Sequence, residues 1–433
     1  MPQFNLSHGY AVAFLMEVFC TFMPYPPMRM KGILIVCIVS LMISQSLLAQ
    51  TTPFTIEVQA GKYARYQTPV QVNLPKPLPA GNLYSIKNTK TGKAATGQML
   101  DSVTLVFILP DSMEPGTRNT YTASRLALNK APKDAVTIVQ QKSGIQVNVK
   151  NKPLFFYHTE EALPAGDSAY YRRSGFIHPL YSPGGQILTD GFPVGHTHQH
   201  GIMNAWTKTT FRKEFVDFWN QQSKKGTVEH IEVTKLKEGP VVTELRVKLR
   251  HRSLLHGEVL REMWVIRVYP FQDYYLFDLI SEERNVTTDT LILEKYHYGG
   301  LALRGSSHWN DQDKKNYQNP WNILTSEGIR DSLANHTHAR WVDASGLING
   351  QAAGVTVFDH PVNFRYPQPI RVHPTMPYWV YSPVVDGAFT INPGTWYRSQ
   401  YRYYVHQQMP DTSTLTRFEK DWVVPPDVTI KGL

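Results

Sequence analysis

Apolar and polar side chains alternate most regularly from Thr243 to Arg250, where Leu245, Val247 and Leu249 interleave with Glu244, Arg246, Lys248 and Arg250. A period of two predicts a strand with one buried face. The same alternation runs from Ile145 to Lys150, and apolar strand-like runs occupy Val259 to Val268, Tyr274 to Ile280 and Gly354 to Phe358. Turn residues punctuate them at Pro270, Ser182-Pro183-Gly184-Gly185 and Asn392-Pro393-Gly394. Helical spacing is confined to Leu415, Phe418 and Trp422 behind the potential caps Thr412 and Ser413, which predicts one short C-terminal helix. No repeat of fixed period is present, which argues against a propeller or solenoid.

This pattern predicts an all-β protein. Residues 50–134 carry short strands with rigid joints such as Pro75-Lys76-Pro77-Leu78-Pro79 and read as a small N-terminal β-sandwich. Residues 135–410 carry longer, more aromatic strands and read as a large antiparallel sandwich, with a short helix and tail over 411–433.

The N-terminus adds a destination. Met30-Lys31 precedes an apolar run from Gly32 to Leu48 that ends in Leu47-Leu48-Ala49-Gln50, the three parts of a secretory signal over residues 1–49. Ser40, Ser44, Gln45 and Ser46 interrupt the run, so it falls short of the roughly 20 apolar residues that span a bilayer. Met28 or Met30 makes a conventional start for such a signal. Both cysteines, Cys20 and Cys37, precede the expected cut, so the mature chain has no disulfide or thiol chemistry. A secreted or periplasmic bacterial protein is expected, with no membrane association after cleavage. The 44 Lys+Arg outnumber the 35 Asp+Glu but form no concentrated stripe, which argues against nucleic acid and leaves acidic polysaccharide as a partner.

Four stretches concentrate chemistry. Asp190 to Gly201 places His196, His198 and His200 at alternate positions, which an extended backbone would turn to one side, about 7 Å between neighbours. His198 and His200 could then ligate one divalent metal ion, with Asp217, His230, Glu294 or His297 as the third ligand. Phe215-Val216-Asp217-Phe218-Trp219, followed by Glu229-His230, sets a carboxylate among aromatic rings, a setting that raises a pKa towards proton transfer. Glu294 to Gly305 brings Glu294, His297 and Arg304 together as base, acid and anion-binding groups. Asp359 to Pro367 offers His360, Asn363 and Arg365 at a strand end. Against each stands a structural reading, in which histidines and carboxylates cap turns and the aromatics pack. Nucleotide-binding and serine-hydrolase motifs are absent.

The ordered set His178-Pro179-Leu180-Tyr181-Ser182-Pro183-Gly184-Gly185, His198-Gln199-His200-Gly201-Ile202, Trp206, Asp217-Phe218-Trp219, His230 and Asp359-His360-Pro361-Val362-Asn363 resembles the bacterial PmoA-like family over about Ile145 to His406. The label "methane oxygenase" implies a copper-linked membrane enzyme, and no mature spanning segment is predicted here. The overall pattern, with Pro393-Gly394-Thr395-Trp396-Tyr397 and Tyr401-Arg402-Tyr403, is also similar to the galactose mutarotase-like super-sandwich. That resemblance implies a large antiparallel β-super-sandwich acting on sugars through His and Asp or Glu.

The expectation is therefore a carbohydrate-active protein. His198, His200, Asp217, His230, Glu294 and His297 would carry the acid-base chemistry, with Trp206, Trp219, Arg304, His360, Asn363 and Arg365 binding the sugar. A histidine-ligated metal enzyme and a non-catalytic glycan-binding protein are the two alternatives.

Overall fold

The regular alternation at Thr243 becomes the strand Thr243–Ser253, in which Leu245, Val247, Leu249 and His251 are buried and the residues between them are half-buried. It belongs to an eight-stranded antiparallel sheet ordered Gly226–Lys237, Thr243–Ser253, Gly257–Tyr269, Tyr275–Asn285, Trp396–His406, Gln351–Phe358, Trp341–Ile348 and Asn322–Thr325. A second eight-stranded antiparallel sheet packs on its inner face. Its order is Ile370–Val372, Tyr378–Tyr381, Gly299–Arg304, Ile202–Trp206, Ile177–Leu180, Lys152–His158, Gly144–Val149 and Val136–Gln141. These coordinates are a computed structural model that describes residues 53–127, 133, 135–409 and 411–433. The signal segment 1–49, both cysteines and most of the joint at 128–134 lie outside the described residues.

The two sheets make the β-super-sandwich. Phe155 meets Phe277 across the interface at 5.5 Å, and the Tyr381 hydroxyl donates to the Val357 carbonyl at 3.0 Å. Each fully buried Leu, Val or Phe in this core contributes roughly 1.5–3 kcal/mol. A four-stranded sheet of Glu214–Val216, Thr209–Phe211, Leu291–Leu293 and Phe389–Ile391 is set beside them. Among the described residues no helix is long and apolar enough to cross a membrane.

The N-terminal region is one seven-stranded antiparallel sheet with its own core of Phe54, Ile56, Val58, Tyr84, Ile86, Leu105, Phe107 and Tyr121. Its edge is closed by the end of the chain. Beyond the helix Thr412–Val423, where a tail was expected, the strand Asp427–Lys431 pairs with Phe54–Gln59. The helix is capped by Asp411, whose carboxylate accepts from the Ser413 and Thr414 amides, rather than by Thr412 or Ser413.

Two strands position the site. Ile202–Trp206 and Gly299–Arg304 are buried at every residue, so they are covered on both faces, by the partner sheet on one and by loops on the other. Gly201 lets the chain enter the first of these. Its φ is +51°, and a Cβ there would lie 2.1 Å from the Ile177 carbonyl oxygen.

Candidate functional site

The strand pair carries a polar cluster on each face. Towards the sandwich interior, Asn204 Nδ2 donates to Glu262 Oε1 at 2.8 Å and to Glu283 Oε1 at 2.6 Å, while Trp206 Nε1 donates to Glu283 Oε2 at 2.6 Å. His251 Nε2 lies 2.8 Å from Glu262 Oε2, and Ser281 Oγ and Trp264 Nε1 also donate to Glu262. Burial works against the Glu262 charge, but the bonds from His251, Ser281 and Asn204 hold its pKa below the usual range. Burial pushes Glu283 up to about 7, reinforced by the Glu262 charge and opposed by His251. Among the described residues, His251, Glu262 and Glu283 form the one group whose metal-type donor atoms all lie within 4.8 Å of one another. They fit a cation poorly, because the carboxylate oxygens already face N–H and O–H donors.

The outer face is different in charge and in completeness. Arg304 and Tyr378 are register partners on adjacent strands and lie together, both fully buried, in a polar basin closed over by the loops. The Tyr378 ring lies 5.7 Å from Trp219 and 5.6 Å from Tyr298, making an aromatic wall. Arg371 stacks over Tyr298 at 5.1 Å, and His297 meets the same ring at 4.9 Å. The His196 ring is 5.4 Å from His198 and 5.6 Å from His373. Arg304 Nη1 donates to Gln199 Oε1 at 2.9 Å, but Nε and Nη2 of Arg304, the Tyr378 hydroxyl, Arg371 Nε and Nδ1 of His196 and His198 are buried with no hydrogen-bond partner among the described residues. Most buried polar atoms are paired, so such a concentration is unusual.

The electrostatics follow from burial beside a fixed cation. Burial, with the neighbouring His196 and Arg304, lowers His198 to about 4, against a hydrogen bond with Gln222. Burial, with His196, Arg371 and Arg304, likewise lowers His373 to about 4. Arg304 is itself drawn down to about 10 by burial, against the pull of Asp190, Tyr378 and Tyr298. At neutral pH the basin thus holds charged guanidiniums, a protonated tyrosine and neutral imidazoles. A neutral imidazole with an open nitrogen can accept a proton, and the phenol can donate one.

The structure brings together His198, His297, Trp219 and Arg304 from the residues singled out in the sequence. The others lie elsewhere. His196 to His200 is a turn, with the Gln199 amide bonded to the His196 carbonyl at 3.0 Å, so the extended geometry that aligned His198 with His200 does not occur. His200 Nδ1 lies 2.7 Å from the Gly191 carbonyl oxygen and Nε2 lies 3.0 Å from Gln221 Oε1, which leaves neither nitrogen free for a metal. Asp217 caps a turn, accepting from the Trp219 and Asn220 amides at 2.9 and 2.8 Å. Trp206 belongs to the interior network.

His230 meets the Tyr157 hydroxyl at 3.0 Å and lines a separate 490 Å³ cavity with Glu160, Glu161, Glu229 and Arg250. Glu294 accepts from Thr210 Oγ1 at 2.9 Å. His360 packs on Trp422 at 4.9 Å beside a 410 Å³ cavity. Asn363 bonds Asp359 and the backbone of Gln400, and Arg365 Nη1 bonds the Pro383 and Gly387 carbonyls. Sequence reasoning missed Tyr378, Arg371 and His373. The segment Arg371 to Tyr381, Arg-Val-His-Pro-Thr-Met-Pro-Tyr-Trp-Val-Tyr, shows no clear period, and only the pairing of Tyr378–Tyr381 with Gly299–Arg304 brings its polar residues to the site.

An all-β super-sandwich with a cationic, aromatic-walled basin over one sheet is the class that fold and site define. The chain belongs to the family described as "Family of unknown function (DUF6807)", whose model matches residues 144–418 and so takes in the two large sheets, apart from the edge strand Val136–Gln141, and the basin. Among solved structures it is similar to "The crystal structure of an alpha-mannosidase from Enterococcus faecalis V583", at 9% identity and a TM-score of 0.35, over 91% of this chain and 48% of that one. The chain thus spans about half the length of that protein, and the likeness is too slight to bear on function. No curated protein matches the chain.

Proposed function

We propose that this protein binds carbohydrate in the Arg304–Tyr378 basin and exchanges protons with it there. The carrying observation is the juxtaposition of an aromatic wall, Trp219, Tyr298 and Tyr378, with convergent unpartnered donors on Arg304 and Tyr378. Sugar rings offer an apolar face to stack and hydroxyls to bond, and the basin supplies a partner for each. His198 is the proton acceptor in this reading and Tyr378 the donor, with Arg304 fixing the ligand. Export, as the segment 30–49 predicts from sequence, would set the protein among extracellular or periplasmic glycans.

A glycan panel incubated with the full chain and followed by mass spectrometry tests the reading. A product formed by wild type and lost in His198→Ala supports it, whereas turnover undiminished in that variant removes His198 from the chemistry. The second reading is binding without turnover. It is favoured by the depression of both His198 and His373 to about 4, which leaves neither imidazole titrating near neutrality. Saturable binding with unchanged glycan masses would select it.

A further inference from the structure

We propose that the carbohydrate is an acidic one and that Arg304 recognises the planar carboxylate of a uronic acid; the proposal rests on the carbohydrate reading above. Four arginines are buried among the described residues, Arg65, Arg173, Arg304 and Arg402. Two are neutralised within the fold. Arg65 Nη1 lies 2.9 Å from Asp421 Oδ1, and Arg402 places Nε at 2.6 Å from Asp278 Oδ1 and Nη2 at 3.0 Å from Oδ2. The Nε–Nη2 edge of Arg402 therefore holds both oxygens of one carboxylate, the fork geometry that suits a planar anion.

Arg304 presents the same edge with nothing on it. Its Nη1 is tethered to the neutral amide of Gln199, and Nε and Nη2 have no partner among the described residues. Arg173 repeats the arrangement, with Nη1 on the Phe218 carbonyl at 3.2 Å and Nε and Nη2 unpartnered. Buried N–H groups left without acceptors cost stability, and Asp190 acts on Arg304 only at a distance, with no hydrogen bond to it. A ligand carboxylate would recover that cost.

The surroundings choose the sign and shape of the ligand. Arg371, His196, His198 and His373 ring the basin, and Asp190, the acid that acts on Arg304, is itself disfavoured as a charge by burial. A metal cation would meet repulsion from the Arg304 charge, and a neutral sugar would leave the Nε–Nη2 edge of Arg304 without an anion on it. A sulfate ester can also bridge the two-pronged edge, but its oxygens are weaker bases and so weaker hydrogen-bond acceptors than those of a carboxylate. Arg304 is fully buried, so the turn His196–Gln199, which carries its Gln199 partner, must lift for the carboxylate to reach it.

The test is calorimetric titration of the full chain, at constant ionic strength, with oligogalacturonate, oligoglucuronate and oligomannuronate, their carboxyl-reduced neutral forms, and a sulfated neutral oligosaccharide of equal length. We expect one uronate series to bind, with affinity falling at least about 10-fold on carboxyl reduction and on replacement by sulfate. Arg304→Lys, which keeps the charge but not the fork, should weaken uronate binding by a similar factor. Arg371→Gln on the half-buried rim should weaken it less, and provides a variant that does not disturb a buried site. Equal binding of reduced and native forms overturns this proposal while leaving the carbohydrate reading intact, as does sulfate binding as tightly as carboxylate. Unchanged affinity in both variants overturns the assignment to Arg304. No binding of any glycan, neutral or charged, overturns both readings together.

Discussion

The two faces of the strand pair Ile202–Trp206 and Gly299–Arg304 solve opposite problems with buried polar groups. On the interior face, Glu262 collects donors from Asn204, His251, Trp264 and Ser281, and Glu283 collects Asn204 and Trp206. Of these interior residues only His251 keeps a buried polar atom, Nδ1, with no partner among the described residues, whereas on the outer face Arg304, Tyr378, His196 and His198 all do. A satisfied network returns its desolvation cost as fold stability, whereas an unsatisfied one holds that cost in reserve for a ligand. The difference separates structure from function more sharply than residue type does, since both faces are rich in histidine, tryptophan and charge.

The largest effect that tests the contrast is on stability. Glu262→Ala leaves the His251, Trp264 and Ser281 donors unpaired in a dry core and should cost about 3–5 kcal/mol in urea unfolding. Arg304→Met, which removes buried N–H groups that have no acceptor, should stabilise the fold by about 1–3 kcal/mol while abolishing ligand binding. If the two variants destabilise equally, Arg304 is a structural residue and the contrast between the faces collapses.

Protonation should move the two faces in opposite directions. Glu283 is pushed up to about 7 from an ordinary value of 4.5, so the stability it confers is fully present below about 4.5 and is lost as pH rises through 7. Glu283→Gln, which mimics the protonated form, should therefore be more stable than wild type by about 3 kcal/mol at pH 8 and by less than about 1 kcal/mol at pH 5. Denaturant midpoints at the two pH values measure this. A Gln variant less stable than wild type at pH 8 would mean that Glu283 is needed as an anion.

The basin has the reverse sign. His198 and His373 are lowered to about 4 from 6.5, so their contribution is present above 6.5 and is lost as pH falls towards 4. Between pH 7 and 5 each should cost the wild type about 1 kcal/mol, after discounting for solvent at the half-buried His373. His198→Gln should flatten the acid limb of the stability profile by that amount. An unaltered acid limb would show that the His198 ring is solvated in solution.

How much of this was legible in sequence depends on whether the governing contact is local. The period of two at Leu245, Val247 and Leu249 and the spacing of Leu415 and Phe418 are local signals, and both became the elements they predicted. The strand Asp427–Lys431 was missed because a five-residue strand at the edge of a sheet begun some 370 residues earlier carries little local signal. The histidine segment does not adopt the form that its spacing suggested. Its alternation suggested a strand, yet it is a turn that sends His198 to the basin and His200 into a closed pocket. Arg304 was singled out in the sequence as a candidate anion-binding group, but the placing of Tyr378 and Arg371 beside it depends on strand register that no single stretch encodes.

The smallest expected effect concerns Asp217, whose place between aromatic residues gave it the sequence pattern of a catalytic acid. Its Oδ1 accepts the Trp219 and Asn220 amides and its Oδ2 accepts Asn220 Nδ2 at 2.8 Å, so its oxygens are occupied in holding the turn that presents Trp219 to the basin. Burial raises its pKa, and the bonds from Asn220 and the Trp219 amide oppose the rise. Asp217→Asn keeps the Oδ1 acceptor and turns one amide group towards another at Asn220, which should cost about 0.5–1 kcal/mol. Ligand affinity should stay within about 2-fold, because Asp217 acts on the basin only through the position of Trp219. A loss of turnover beyond about 10-fold with Trp219 fluorescence and affinity unchanged would instead make the carboxylate a proton carrier, and would move the chemistry away from the unsatisfied groups around Arg304.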